Sequence, residues 1–415
     1  MTKLINFLVD KKKIINKIFF TLFIIFIYVI GTSIYIPFLS KSEYQAISVL
    51  RQLGSSFNKS LLSNNNSLCI LSLGVIPYVT ASIVIQLSQK VFTFMKEWQE
   101  QGEKGKRKIN IVTRVLTIFL SLGHGWALCQ TEKFVLGPSL LFSTLFFLTV
   151  GVFISIWLAD LITSKGLGNG ISILIAVGMV DKLFKTFKYL LSNSNGFETQ
   201  RILILISYFV LLILTIILSS AYLKIPINYA INRNNDKIDK YIPIKLNTSG
   251  ILPIILADTL LNVIQQISML FSKNGKVNEY IGIFVESRSE LGIYFFVYIL
   301  LIMLFSFFSS FMTINPKDVA EHLSKQNAYL KDVQPGLPTV KKIVREMFKI
   351  TFLGSCFLTL LASTPDIINY LAGSTISQNI PFGGTSLLII VGVALESIQD
   401  MKAKNNVKRT YNKFF

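Results

Sequence analysis

At 415 residues the chain carries 52% apolar and only 15% charged side chains, with a mean hydropathy of +0.56. A soluble domain carries about a quarter charged residues, so these figures exclude one and point to a multi-span membrane protein. The formal charge, 41 − 22 = +19, must concentrate in the connections and implies anionic contacts there, whether lipid headgroups, an acidic protein or RNA phosphates. Cys69, Cys129 and Cys356 lie far apart inside apolar runs. They read as buried small hydrophobes, not as a disulfide or metal framework.

In chain order, residues 1–17 form a basic head (Lys3, Lys11, Lys12, Lys13, Lys17), followed by a first apolar span over 18–36 that ends at Pro37. That run is too long for a signal peptide and no small-residue cleavage site follows it, so no cleaved leader is expected. After a polar stretch with three consecutive asparagines, Asn64, Asn65 and Asn66, an apolar run extends from Leu68 to Leu87. Twenty residues at 1.5 Å each span about 30 Å, the thickness of bilayer hydrocarbon. Val79 and Ile83 stand four apart and share one face of that expected helix.

Further spans read at 111–130, 138–160, 171–190, 201–223, 250–271, 291–314, 348–366 and 382–398, which makes ten, with a basic tail at 401–415. Placing the N-terminus in the cytoplasm leaves roughly 30 of the Lys and Arg residues on cytoplasmic segments and about 11 outside, as positive charge prefers. Both termini are then cytoplasmic, and 224–247 and 315–347 become long basic cytoplasmic loops.

Several motifs punctuate this pattern. Ala159 to Ile175 reads ADLITSKGLGNGISILI, with glycines at 166, 168 and 170. A membrane span follows instead of a βαβ unit, so a tight cytoplasmic turn back into the membrane is expected, not a phosphate cradle. Ile171 and Ile175 repeat the i, i+4 apolar pair of Val79 and Ile83. Gly102 to Lys108, GEKGKRK, is too short for a nucleotide loop and has no Ser or Thr after its lysine; by itself it reads as a solvated charged turn. Asp258 is an acid inside an apolar span, a costly placement that marks either a gate or a satisfied structural acid. His124 reads as structural, and with His322 the only other histidine, neither a metal cluster nor a nucleophile–base pair is expected. No enzyme activity and no cofactor are expected.

The motifs also carry a resemblance. GVIPYVTASIVIQL, ADLITSKGLGNGISILI, the GE-x-G-x-R-K-I pattern with Arg114 behind it, Asn247, Gly250 and Pro253, Asn315 to Thr339, and PFGGTSLLIIVGVALE occur in the order found in the SecY protein-conducting channel. The chain resembles that family along nearly its whole length. The resemblance implies an all-α polytopic protein: ten transmembrane helices in two pseudo-symmetric five-helix halves, 18–190 and 201–398, around a central pore with a plug. It puts Val79, Ile83, Ile171, Ile175, Ile255 and Ile389 at the pore ring, and the plug at about 56–66, with Ser56, Leu61, Leu62, Asn64, Asn65 and Asn66 in or beside it. Contacts with a translocation motor or ribosome fall on Arg107, Lys108, Lys240, Lys325, Gln334, Pro335 and Gly336. The family commonly has Arg at the position of Gln334, before the Pro-Gly.

Implied partners are SecE and SecG-like subunits, the SecA ATPase or the ribosome, secretory and membrane-protein precursors, membrane lipids and, as an option, a second copy. The implied function is passage of unfolded polypeptides, with sideways release of hydrophobic segments into lipid. An accessory paralogue serving a few exported substrates is the nearest alternative. A solute transporter is a more distant one. A bacterial cell membrane and a plastid thylakoid fit the sequence equally.

Overall fold

The computed structural model describes residues 2–37, 69–130, 138–191, 198–229, 241–248, 250, 252–271, 293–330, 333–372, 386–399 and 401. The chain divides into two compact units, Met1–Ser192 with Ile380–Phe382 and Val393–Phe415, and Asn193–Asn379 with Gly383–Gly392.

The first unit holds α1 (Thr2–Gly31), α2 (Ile76–Val91), α3 (Thr93–Glu100), α4 (Glu103–Gln130), α5 (Pro138–Lys165) and α6 (Gly170–Leu191). α2 packs along α4, α4 along α5, α5 along α6, and α1 lies against α5. The expected span from Leu68 is helical only from Ile76. Gly74 takes φ 54°, a left-handed turn conformation, and Pro77 occupies the first helical turn, where its missing N–H costs nothing. Residues 69–75 instead form turns, joined to the end of α1 by the antiparallel bridge of Tyr35 with Cys69. Their side chains serve two cores. Leu71 and Val75 pack with Ile24, Tyr28, Leu158 and Ile162, whereas Leu73 packs with Ile36, Leu148 and Val152.

GEKGKRK is not a free turn. After Gly102 the chain is already helical, with Glu103 in the first turn of α4 where a negative charge favours the helix dipole. A Cβ on Gly105 would stand 1.6 Å from the Trp98 carbonyl oxygen, so only glycine lets α3 close onto α4.

The second unit holds α7 (Glu198–Ser220), β1 (Tyr222–Tyr229), β2 (Tyr241–Lys245), α8 (Leu252–Phe271), α9 (Ile293–Thr313), α10 (Pro316–Lys325), β3 (Ala328–Leu330) and α11 (Leu337–Ala372). A last helix, α12 (Ser386–Gln399), passes from this unit into the first at Gly392. α8 packs along α9, and α9 along α11.

The two expected basic loops fold together, an arrangement absent from the all-helical expectation. β1 is the centre of a three-stranded antiparallel sheet in the order β2-β1-β3, with Ile225 opposite Ile242 and Ile227 opposite Leu330. Alternation sends Ile225, Ile244, Ala328 and Leu330 inward, onto Ala320 and Leu323 of α10 and Ile343, Met347 and Ile350 of α11. Asn315 caps α10 by accepting from the Lys317 N–H at 3.2 Å. Ile343 is 1% exposed at the centre of this core. Ile343→Ala is expected to cost about 2–5 kcal/mol locally and to open the sheet region to trypsin, leaving the membrane-embedded fragments intact on a gel.

Among the described residues, three helical stretches are long and apolar enough to cross a membrane: Ser139–Lys165, Phe295–Lys325 and Leu337–Thr364. Shorter apolar helices cover Ile15–Gly31, Gly170–Val180, Ile204–Ser220, Leu252–Leu261 and Ser386–Gln399. Cys69 and Cys129 are buried as expected, but Cys356 is exposed. It falls on one side of α11 with the exposed Phe352 and Leu360.

Candidate functional site

The glycine-rich turn between α5 and α6 is built by two threonines. The Thr21 hydroxyl on α1 donates to the Lys17 carbonyl at 2.8 Å and accepts from the Leu167 N–H at 3.1 Å. The Thr163 hydroxyl on α5 does the same with the Ala159 carbonyl (2.9 Å) and the Gly170 N–H (2.9 Å). Asn169 accepts from the Ile171 N–H at 3.1 Å, capping α6. Gly168 has φ 69°, and a Cβ on Gly170 would lie 1.9 Å from the Ala159 carbonyl oxygen. The turn therefore fixes where α6 begins, and with it Ile171 and Ile175.

Those two isoleucines and Val79 of α2 are half-buried and pack against one cluster formed by Leu71, Val75, Leu158, Ala159 and Leu174 with Ile24 and Tyr28. Ile83, one turn beyond Val79, is buried. Three of the four expected ring residues of the first unit thus share one apolar centre. Ile255 is half-buried on α8 and Ile389 is buried on α12. Asp258, one turn after Ile255, is also buried, at 4% exposure, so protein and not lipid surrounds it. All the expected plug residues, Ser56, Leu61, Leu62, Asn64, Asn65 and Asn66, lie outside the described residues.

Thr21 and Thr163 escape a reading of the sequence, because a threonine in an apolar run ordinarily bonds its own helix. Thr163→Val removes the acceptor for the Gly170 N–H. It is expected to lower stability by about 1–3 kcal/mol, visible as a drop in detergent thermal midpoint that Thr163→Ser restores.

The expected partner residues occupy two exposed places. Arg107 and Lys108 lie in the second turn of α4, where the Lys108 ammonium stands 5.6 Å over the Trp98 ring. The other group belongs to the three-stranded unit. Lys325 ends α10, exposed and 2.8 Å from Glu321. The ammonium bonded to Glu321 holds that carboxyl below its ordinary pKa. Gln334, Pro335 and Gly336 form an exposed turn with Gly336 at φ 105°. The buried Thr339 hydroxyl donates to the Gln334 carbonyl at 2.8 Å and fixes this tip on α11. Lys240 lies outside the described residues. Arg114 adds a link between helices, its guanidinium 3.3 Å from the Asp160 carboxylate on α5.

Comparison with known proteins decides the family. The SecY family model matches residues 69–398. This chain belongs to the SecY family. The SecY protein translocase subunit of Staphylococcus aureus is 33% identical over 427 aligned positions, covering 98% of this chain and 97% of that relative. The SecY subunit of Staphylococcus epidermidis is 32% identical, covering 95% of each.

Solved channels share the fold at lower identity. A SecY channel whose plug domain stabilises the closed state superposes with a TM-score of 0.62 at 18% identity, covering 94% of this chain and 92% of that one. A protein-conducting channel gives 0.61 at 17% with the same coverage. The channel of the canine ribosome–channel complex from the endoplasmic reticulum gives 0.59 at 19%, again over 94% and 92%. The SecY fold therefore accounts for the helical framework, and the chain is a membrane-embedded protein.

Proposed function

We infer that this chain is the central channel subunit of a protein translocase, passing unfolded polypeptides across the membrane. The observation that carries this is the match to translocase subunits along 98% of the chain. The six residues Val79, Ile83, Ile171, Ile175, Ile255 and Ile389 are proposed as the pore ring. All are β-branched and apolar, and a narrow ring of such side chains dewets when empty yet yields around a passing chain. Support for the ring comes from the threonine-clamped turn that fixes Ile171 and Ile175, and from their shared apolar centre with Val79.

The segment at about 56–66 is proposed as the plug over that ring. Hydrophobic segments are proposed to leave sideways when α2 and α4 part from α8 and α9. Each of these pairs packs closely within its own unit. Once the door opens, partitioning supplies the selectivity: Leu, Ile, Phe and Val each favour lipid by roughly 0.3–0.6 kcal/mol at mid-bilayer, whereas charges oppose it by roughly 2.5–3.5.

The chain holds no fuel-binding loop among the motifs its sequence displays, so force is proposed to come from outside, from SecA or a ribosome. The docking residues are Arg107, Lys108, Lys240, Lys325, Gln334, Pro335 and Gly336, with SecE and SecG-like chains completing the channel. The cell membrane is the proposed location, with both termini cytoplasmic, as the distribution of Lys and Arg favours.

The test is reconstitution. Proteoliposomes containing this chain, a SecE-like subunit and SecA are expected to protect an added secretory precursor from protease only when ATP is present. Protection that does not depend on this chain, or none in its presence with active SecA, removes the reading.

A further inference from the structure

We propose that the exposed groove between α4 and α5 binds a phospholipid with a primary-ammonium headgroup, one acyl chain in the groove, its phosphate on Arg114 and its ammonium on Asp160. Ile118 of α4 and Thr149, Val150, Phe153, Ile154 and Trp157 of α5 line this groove, an apolar hollow of about 480 Å³. On α5 the exposed Val150, Ile154 and Trp157 recur at i, i+4 and i+7, and Asp160 follows one turn later. On α4 Arg114 stands four residues before Ile118, also one turn away. The ion pair of Arg114 with Asp160 therefore lies at one end of the groove.

The depth of that pair suits a headgroup. Six residues, about 9 Å, separate Arg114 from Lys108 in the basic opening of α4, and five, about 7.5 Å, separate Asp160 from Lys165 at the end of α5. A headgroup layer is about 5–8 Å deep, so the pair lies where headgroups give way to acyl chains. Its side chains are 57% and 52% exposed and meet through a single contact, Nη2 to Oδ2 at 3.3 Å. Charges facing lipid at that depth need polar partners. The pair is neutral as a whole, so an anionic headgroup would set its phosphate against the Asp160 carboxylate. A zwitterion with two carbons between phosphate and ammonium matches both charges. The guanidinium donates to the phosphate and the ammonium donates to the carboxylate, both as charge-assisted hydrogen bonds. A choline headgroup carries the same charges but has no N–H to donate.

The inference rests on the membrane embedding of the chain, not on what the channel carries. The test uses the full chain in phosphatidylcholine nanodiscs, with Trp98→Phe and Trp126→Phe leaving Trp157 as the single tryptophan of three. Phosphatidylethanolamine, phosphatidylglycerol or phosphatidylcholine, each brominated in the upper acyl chain, is then added in rising share. Trp157, 61% exposed in the groove, is expected to be quenched by the ethanolamine lipid with a relative affinity at least fivefold above the other two. Asp160→Asn is expected to abolish that preference and Asp160→Glu to keep it, a contrast that loss of packing alone would not produce. Native mass spectrometry of the chain with its tryptophans intact, delipidated and mixed with equal amounts of the three lipids, is expected to show one retained phosphatidylethanolamine, absent in Asp160→Asn. Equal quenching by the three lipids, stronger quenching by phosphatidylglycerol, or a preference that survives Asp160→Asn would each overturn the proposal. So would a Trp157 that no brominated lipid reaches, as under a helix of another protein.

Discussion

Val79→Asn, Ile171→Asn and Ile175→Asn together are expected to make the resting channel leak ions, raising the conductance of chain-containing liposomes at least tenfold. The reason is wetting. A constriction of branched apolar side chains expels water when empty, and amides at the same positions hold it through hydrogen bonds. All three residues are half-buried around one apolar cluster, so the substitutions change the lining of that one centre. The control is size-exclusion behaviour in detergent, which should stay monodisperse. Dye-release or potassium-flux traces that match the unaltered chain, with a monodisperse profile, would remove these three residues from the ring.

Gly170→Ala is the second large effect, out of proportion to one methyl group. The added carbon would sit 1.9 Å from the Ala159 carbonyl oxygen and 2.9 Å from the Thr163 hydroxyl, so α5 or α6 must move and the Thr163 clamp on the Gly170 N–H breaks. A forced backbone shift together with an unsatisfied buried N–H is expected to cost about 3 kcal/mol or more. The outcome is loss of folded protein from the membrane fraction. Gly178→Ala is the matching control. It lies further along α6 with nothing within 4 Å of the new carbon, and should stabilise the helix by up to about 1 kcal/mol. Equal membrane levels of the two variants would show that the turn does not fix the start of α6.

Much of the helical framework is legible in the sequence because lipid imposes a simple rule. Every backbone polar group must be satisfied within the segment, so long apolar runs can only be helices. The turn before α6 is legible for a similar reason: three glycines within five residues, flanked by apolar runs, leave little else. What escapes depends on partners distant in the chain. β1, with its alternating Tyr-Leu-Lys-Ile-Pro-Ile, carries a strand pattern, but β3 is three residues long and lies about a hundred residues away, so neither announces the sheet alone. The helical reading of 68–75 fails because Gly74 adopts a left-handed conformation that composition does not signal. Gly105 looks like a turn residue, yet its use is to admit the Trp98 carbonyl against a helix. Of the candidate site, the β-branched pairs Val79/Ile83 and Ile171/Ile175 are visible as spacing, whereas the threonines that hold the second pair in place are visible only in three dimensions.

The most direct measurement of the central claim is cysteine crosslinking of a secretory precursor stalled in mid-passage. A single cysteine in the stalled segment is paired with cysteines introduced one at a time at Val79, Ile83, Ile171, Ile175, Ile255 and Ile389, with the outward-facing Phe119 and Phe142, 66% and 75% exposed, as controls. A polypeptide inside the proposed ring gives disulfide adducts at all six ring positions and none at the two controls. Adducts at the controls, or at only one of the two units, would contradict a pore lined by these residues.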